Sequence, residues 1–350
     1  MKTRTISRMF GSMFLPLVFL MALSAGALFF VRYADACSLM MKTNKYGTFV
    51  GRTMEWWGPL DTKIIIIPRG FHDHSVNDAM KWTVKYGTVA VQDHEFRGEA
   101  VIAEGVNEKG LTAHILWQQD DDIPAPVRGK PELSVFSWVK YVLAMYANVD
   151  EVVKGLNGYQ LVAAEVPYEG QHIMPHFHFA VNDAGGDAAI IEFNGGKIQV
   201  FHGSQYNVMT NEPKLPDQLA NLEKIKQENK LYSVARLPGG AEPSNRFVRN
   251  SFNMENMPEP KSASQAVAYM EEAIAGVMVP AFDDRKHPVS PLSDAWEARW
   301  HVVYDLKNMR MYFDQDETGK RLYMKIKDVD FTGKTVRQIF PDNIKSAYDL

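Results

Sequence analysis

Apolar and polar positions alternate in short runs near both ends of the chain and recur with a helical period in between. Ser38–Lys42 and Thr48–Thr53 read as strands around a turn at Asn44-Lys45-Tyr46-Gly47. Thr62–Pro68 holds four consecutive isoleucines, the pattern of a strand buried on both faces. Trp82–Val91 and Leu111–Trp117 read as further strands, and Gln118–Glu132, with three aspartates in a row, as an exposed loop suited to a lid. Leu133–Ala147 sets Leu133, Phe136, Val139, Tyr141, Val142 and Met145 on one helical face, and a short helix is predicted around Val149–Leu156. Strands follow at His178–Val181, Ala188–Phe193, Lys197–Phe201 and Tyr206–Thr210, with turns rich in Gly and Asn. Helices are predicted over Leu215–Lys226, Asn245–Met254 and Ser262–Val277, the last opened by a serine cap. Trp300–Asp305, Met309–Asp314 and Leu322–Lys327 close the chain as a meander. Strands, then helices, then strands, joined by hairpin-length connections, predict one α+β domain over residues 37–350 with antiparallel sheets covered by helices.

The first 36 residues follow a different rule. Lys2, Arg4 and Arg8 precede an apolar run from Met13 to Phe30, and the small-x-small triplet Ala34-Asp35-Ala36 follows. This order predicts a secretory signal peptide cut after Ala36, and a periplasmic or secreted protein. An uncleaved anchor and a lipoprotein signal are the competing readings. Asp35 fits the lipoprotein pattern badly. No other segment is long and apolar enough to span a membrane, so no stable insertion is expected after cleavage.

Composition narrows the classes. A chain of 350 residues that is 46% hydrophobic and 23% charged has the makings of a large globular core and not of a disordered or fibrous one. A net charge of -4 argues against general nucleic-acid binding. One cysteine, Cys37, excludes an intrachain disulfide and any Cys-rich metal site.

Cleavage after Ala36 would make Cys37 the first residue. Such a residue carries a thiol nucleophile and, on the same atom framework, an α-amine whose ordinary pKa of about 8 lets it accept the thiol proton near neutral pH. Export and activation would then be one event. The chemistry further needs a group to hold the amine, a donor for the tetrahedral oxyanion and a pocket for the acyl group.

Several strings supply such groups. They are Gly51-Arg52-Thr53-Met54-Glu55, Asn107-Glu108-Lys109-Gly110-Leu111, Met209-Thr210-Asn211-Glu212-Pro213 and Asn245-Arg246-Phe247-Val248-Arg249. In this order after Cys37 they resemble the choloylglycine hydrolase family of N-terminal-nucleophile hydrolases, which includes penicillin V acylases and bile salt hydrolases. The resemblance spans Cys37 to about Tyr323. It implies a four-layer αββα fold, two stacked antiparallel sheets between helix layers, no cofactor and a homotetramer. It also implies the roles of the residues. Cys37 is nucleophile and base, and Arg52 favours the thiolate. Glu55 stands where the family usually has an aspartate that holds the α-amine. Asn211 donates to the oxyanion, and Arg246 orders the catalytic groups. Arg249 is expected to be solvated, and Asn107–Gly110 to form a hairpin turn.

Trp117 occupies the place of an asparagine in bile salt hydrolases and of a tyrosine in Gram-positive penicillin V acylases. An indole there suits an aromatic or fatty acyl chain. Strand alternation lets one of Trp56 and Trp57 face the same pocket, and the expectation is Trp57. This Trp-rich form looks like the periplasmic penicillin V acylases, a branch with members that also hydrolyse N-acyl homoserine lactones. His172, His176 and His178 invite a zinc reading, but spacing places no third type of ligand, and no metal is expected. The expected activity is hydrolysis of a linear C–N amide in a small molecule, penicillin V or an N-acyl homoserine lactone. Conjugated bile salt hydrolysis is the alternative within the family, and a non-catalytic lipoprotein acylated at Cys37 is the alternative outside it.

Overall fold

A computed structural model describes residues 37–56, 60–96, 99–168, 171–228, 233–280 and 296–339. The expected signal peptide, residues 1–36, lies outside them, and all of them belong to one compact unit, Ala34–Leu350. Two antiparallel sheets carry the fold. Their strands are β1 Ser38–Asn44, β2 Gly47–Glu55, β3 Lys63–Ile67, β4 Thr88–Phe96, β5 Glu99–Asn107, β6 Thr112–Trp117, β7 Phe177–Asn182, β8 Ala188–Asn194, β9 Lys197–His202, β10 Val208–Met209, β11 Ala298–Asp305, β12 Arg310–Gln315, β13 Lys320–Lys325 and β14 Arg337–Ile339. The first sheet runs β10-β1-β2-β11-β12-β13 and the second β9-β8-β7-β6-β5-β4-β3-β14.

Helices α1 Trp138–Met145 and α2 Val149–Gly155 pack on the second sheet. Of α3 Leu215–Glu228, α4 Pro243–Asn256 and α5 Ala263–Ala275, the last two pack on the first sheet. This is the four-layer αββα arrangement that the resemblance implied. The isoleucines of β3 are buried on both faces because that strand lies between β4 and β14 inside the stack. Ser262 caps α5 by accepting from Gln265 N, as its position predicted. Among the described residues no helix is long and apolar enough to cross a membrane.

Three expectations change. The predicted strand Trp82–Val91 is broken into Lys81–Thr83 and β4. The break holds Gly87, where an added Cβ would lie 2.2 Å from the ring of Phe331, so only glycine fits that close approach. The helix expected from Leu133 starts at Trp138. Ser134 N donates to Ser75 Oγ and Ser137 Oγ accepts from Val76 N, which ties that stretch to a neighbouring loop before the helix begins. Strand β5 has no counterpart in the hydropathy reading, since it buries Glu104 at its centre.

Candidate active site

The site forms where the first strand begins. Hairpin pairing sets Ser38 opposite Thr53 and Leu39 opposite Arg52, which returns the end of β2 to Cys37. On its other side β1 pairs with β10, Leu39 opposite Met209, so the chain leaves that strand at Thr210-Asn211 beside the same point. Helix α4 lies against β1 and delivers Arg246. Cys37, Arg52, Glu55, Asn211 and Arg246 are thus brought together by one three-strand edge and one helix.

Cys37 is buried, with Sγ 3.7 Å from Met54 Sδ and 3.7 Å from the Glu55 carbonyl oxygen. Burial pushes its thiol up to about 11, against the positive charges of Arg52 and Arg246. Within this chain the resting sulfur is therefore a thiol, and it needs a base at hand when it attacks.

Arg52 bridges the two sheets. Nη1 donates to the Ala103 carbonyl at 2.7 Å and to Glu104 Oε2 at 3.1 Å, and Nη2 to the Ile115 carbonyl at 2.6 Å. Ala103 is free for this because the β4–β5 register steps from Val91–Glu104 to Gln92–Ile102, leaving it without a ladder partner. Glu104 is fully buried and also accepts from Tyr304 at 2.6 Å. Burial would raise its pKa. The neighbouring His114 and Arg52 outweigh burial and hold it below the usual carboxylate range. Arg52 therefore acts on Cys37 through its charge while Glu104 and two carbonyls fix its place.

Glu55 is buried on the opposite face of β2. Its Oε2 accepts from Thr53 Oγ1 at 2.8 Å, and Thr53 Oγ1 in turn accepts from Ser38 N at 3.1 Å. Oε1 has no hydrogen-bond partner among the described residues. Burial pushes this carboxyl up to about 8, with Arg246 opposing.

Arg246 is the hub. Nη1 donates to the Cys37 carbonyl at 2.6 Å and to Ser38 Oγ at 2.8 Å, Nη2 to Asn211 Oδ1 at 2.9 Å, and Nε to the Ala241 carbonyl at 2.7 Å. With its oxygen so engaged, Asn211 turns its amide nitrogen the other way, where it donates to the Trp117 carbonyl at 2.8 Å. One N–H remains for a substrate oxygen. Arg249, expected in solvent, is half-buried and donates to the carbonyls of Pro238, Gly240 and Gly276. A guanidinium can serve several carbonyls at once. Asn107 holds its turn by accepting from Lys109 N and Leu111 N.

Cys37 lines an open cavity of about 820 Å³, a volume that includes open solvent. Its walls include Trp56, Trp117, Phe136, Phe177, Val101 and Ile115. Trp56 and Trp117 meet edge to face with ring centres 5.9 Å apart, and Trp117 packs in the same way on Phe177 at 5.7 Å. Trp57 lies outside the described residues. Trp56, the other member of that pair, lines the cavity beside Trp117. Counting parity from Arg52 gives the signal: Arg52, Met54 and Trp56 share one face of the strand direction, and both Met54 and Trp56 line the cavity.

The three histidines part company. His172 is exposed, His176 lies 2.8 Å from Asp121, and His178 is buried 3.6 Å from Glu192. Among the described residues no three metal-binding side chains converge.

Comparisons with known proteins agree with this geometry. A family model described as linear amide C–N hydrolases, choloylglycine hydrolase family, matches residues 36–281. A penicillin V acylase of Pectobacterium atrosepticum is 31% identical over 294 residues, covering 80% of this chain and 77% of its own. A bile salt hydrolase/transferase of Clostridium perfringens is 25% identical over 232 residues, 59% of this chain and 68% of its own. The solved structure of a penicillin V acylase from Agrobacterium tumefaciens superposes with a TM-score of 0.73 at 28% identity, covering 87% of this chain and 91% of that one.

Proposed function

The chain belongs to the choloylglycine hydrolase family of linear amide C–N hydrolases, and we propose that within it this protein is an exported acylase, with Cys37 freed as its N-terminal nucleophile, for penicillin V and N-acyl homoserine lactones. The observation that carries the substrate reading is the aromatic wall of Trp56, Trp117, Phe136 and Phe177 beside Cys37 Sγ. Such a wall binds a phenoxyacetyl or fatty acyl group by burial of apolar area and by ring edges. A penicillin V acylase is also a relative that is 31% identical to this chain over 294 residues.

The proposed mechanism uses the chain's own groups. The Cys37 α-amine takes the thiol proton as Sγ attacks the amide carbonyl. Asn211 donates its remaining N–H to the oxyanion. Collapse breaks the C–N bond, and the α-ammonium returns the proton to the leaving amine. Water then attacks the thioester, with the α-amine as base, and releases the acid and the thiol. The orphaned Oε1 of Glu55 suits it to receive the ammonium once the chain begins at Cys37. The homotetramer implied by the resemblance is part of the same proposal, and sedimentation of the processed protein tests it.

The deciding experiment is a set of parallel kcat/KM measurements on penicillin V, a long-chain N-acyl homoserine lactone and glycocholate. The reading expects the first two to be hydrolysed well and glycocholate poorly. Preference for glycocholate would replace it with the bile salt reading. An acylated Cys37, seen in the intact mass of the exported protein and lost with globomycin, would replace it with the lipoprotein reading.

A further inference from the structure

The cavity beside Cys37 is apolar on most sides but has one polar stretch, formed by β4. Asp93 lines it and is only 2% exposed. The ladder between β4 and β5 skips this residue: Gln92 pairs with Ile102 and His94 with Val101, so Asp93 is the extra residue of a bulge. A bulge turns a side chain away from the direction that regular alternation would give it. Here the side chain meets Trp300 and Thr62. Asp93 Oδ1 accepts from Trp300 Nε1 at 2.9 Å and from Thr62 Oγ1 at 3.2 Å. Oδ2 is buried and has no hydrogen-bond partner among the described residues.

A buried acceptor left without a partner is costly, and a ligand group that supplies the missing bond is favoured over one that does not. Burial pushes the Asp93 carboxyl up to about 7, with the Trp300 hydrogen bond and the Arg52 charge opposing. Near neutral pH both of its forms are present, one able to donate and the other only to accept. A hydroxyl can answer both forms. An oxo group answers only the first, and an ammonium only the second.

We propose that Asp93 is a specificity-determining residue that favours acyl chains carrying a hydroxyl group, which pairs with its free oxygen at the polar end of the acyl cavity. This rests on the reading of that cavity as the acyl site. The mechanism does not use Asp93: it touches neither the sulfur nor the oxyanion donors in the contacts described above.

The test uses para-nitroanilides of one medium-length straight-chain fatty acid, unsubstituted and hydroxylated at successive carbons, with penicillin V as a control. In the wild-type processed protein one positional isomer should exceed the plain chain by about tenfold in kcat/KM, the usual worth of one added hydrogen bond. Asp93→Leu should level that ratio while still turning over the plain chain. Asp93→Asn keeps an oxygen for Trp300 and should lower the ratio about threefold or more, since an amide answers only one of the two roles. That variant decides the matter if Asp93→Leu fails to fold. A purely structural Asp93 would lower every rate and the melting temperature together and leave the ratio where it was. Equal ratios in wild type and variants, or no preferred isomer in wild type, overturn the inference alone. Failure of the wild-type protein to hydrolyse any of the anilides or penicillin V overturns it together with the acyl-site reading.

Discussion

Arg246 Nη2 donates to Asn211 Oδ1 at 2.9 Å, and this contact decides which end of the Asn211 amide is offered to a substrate. Arg246 reaches the Cys37 carbonyl with its other terminal nitrogen, so one guanidinium sets the spacing between the backbone of Cys37, the proposed nucleophile, and Asn211, the proposed oxyanion donor. Asn211→Ala should lower kcat by about 10²–10³, the usual cost of one oxyanion donor, with KM little changed. Arg246→Lys keeps the charge and loses the fork. Its kcat should fall similarly, because a single ammonium cannot hold four acceptors. Steady-state kinetics on penicillin V check both, and a change confined to KM would remove Asn211 from this role.

Cys37, the proposed nucleophile, makes a sharper prediction. Cys37→Ala should fold and be inactive, and Cys37→Ser should be severely impaired, because a hydroxyl gives up its proton far less readily than a thiol. N-terminal sequencing of active exported protein should read Cys-Ser-Leu-Met-Met. Full activity from a chain that still begins at Met1 would end the N-terminal-amine mechanism.

Glu55 should make stability depend on pH in a way that reports on processing. Its carboxyl is raised from an ordinary value of 4.5 to about 8. Between those values the folded chain keeps a proton that the unfolded chain has released. Stability from this group is therefore full below the lower value and is lost as pH rises towards the upper one, by about 1.4 kcal/mol per pH unit at the steepest. Glu55→Gln should remove that loss in a chain with a residue fixed before Cys37. In the processed chain the α-amine is an ammonium over the acid part of this range and should hold Glu55 ionised there, so wild type and Glu55→Gln should differ little in slope below about pH 7. Melting temperatures from pH 4 to 8 (a span of about four units) measure the difference, and identical slopes in the extended wild type and its Glu55→Gln variant would contradict it.

Glu104 is the counter-charge of Arg52, and neither side chain is exposed. Glu104→Gln leaves a buried guanidinium without its partner and should cost about 3–5 kcal/mol of stability. It should also sharpen the effect of Arg52 on Cys37, whose alkylation by iodoacetamide should shift to lower pH. Calorimetry and an alkylation-rate profile separate the two effects. A melting change with no movement of the profile would make Glu104 structural only.

Trp56 and Trp117 form a ring pair at the cavity, and Trp117 has a second task, since its carbonyl accepts from Asn211. Replacing either indole with alanine should cut kcat/KM by roughly a hundredfold, the cost of a buried aromatic contact. Trp56→Phe and Trp117→Phe should change the ratio of phenoxyacetyl to short-chain rates. Unchanged ratios with a lower melting temperature would assign both rings to the core and withdraw the main support for the acyl preference.

The sequence by itself determined most of the local structure. The isoleucine run, the Gly- and Asn-rich turns and the serine cap act through neighbours in the chain, so they could be read in order along it. Cys37 stood out as the one cysteine, placed at the expected cleavage point, and Arg52, Asn211 and Arg246 because each sits in a short string whose order resembles a known family. Tertiary structure decided the rest. The place of Trp56 at the cavity, beside Trp117, follows from a face that Arg52 anchors between two sheets, a contact across 51 residues that local alternation does not contain. Strand β5 escaped the hydropathy reading because Glu104 interrupts it, and Glu104 is tolerated there through His114 of the neighbouring strand and Arg52 and Tyr304 of the other sheet. Asp93 looked like any acidic residue until a one-residue bulge, set by pairing with β5, placed it at the cavity wall. A buried charge or an unpaired oxygen takes its meaning from the groups that surround it in space, and those come from distant parts of the chain.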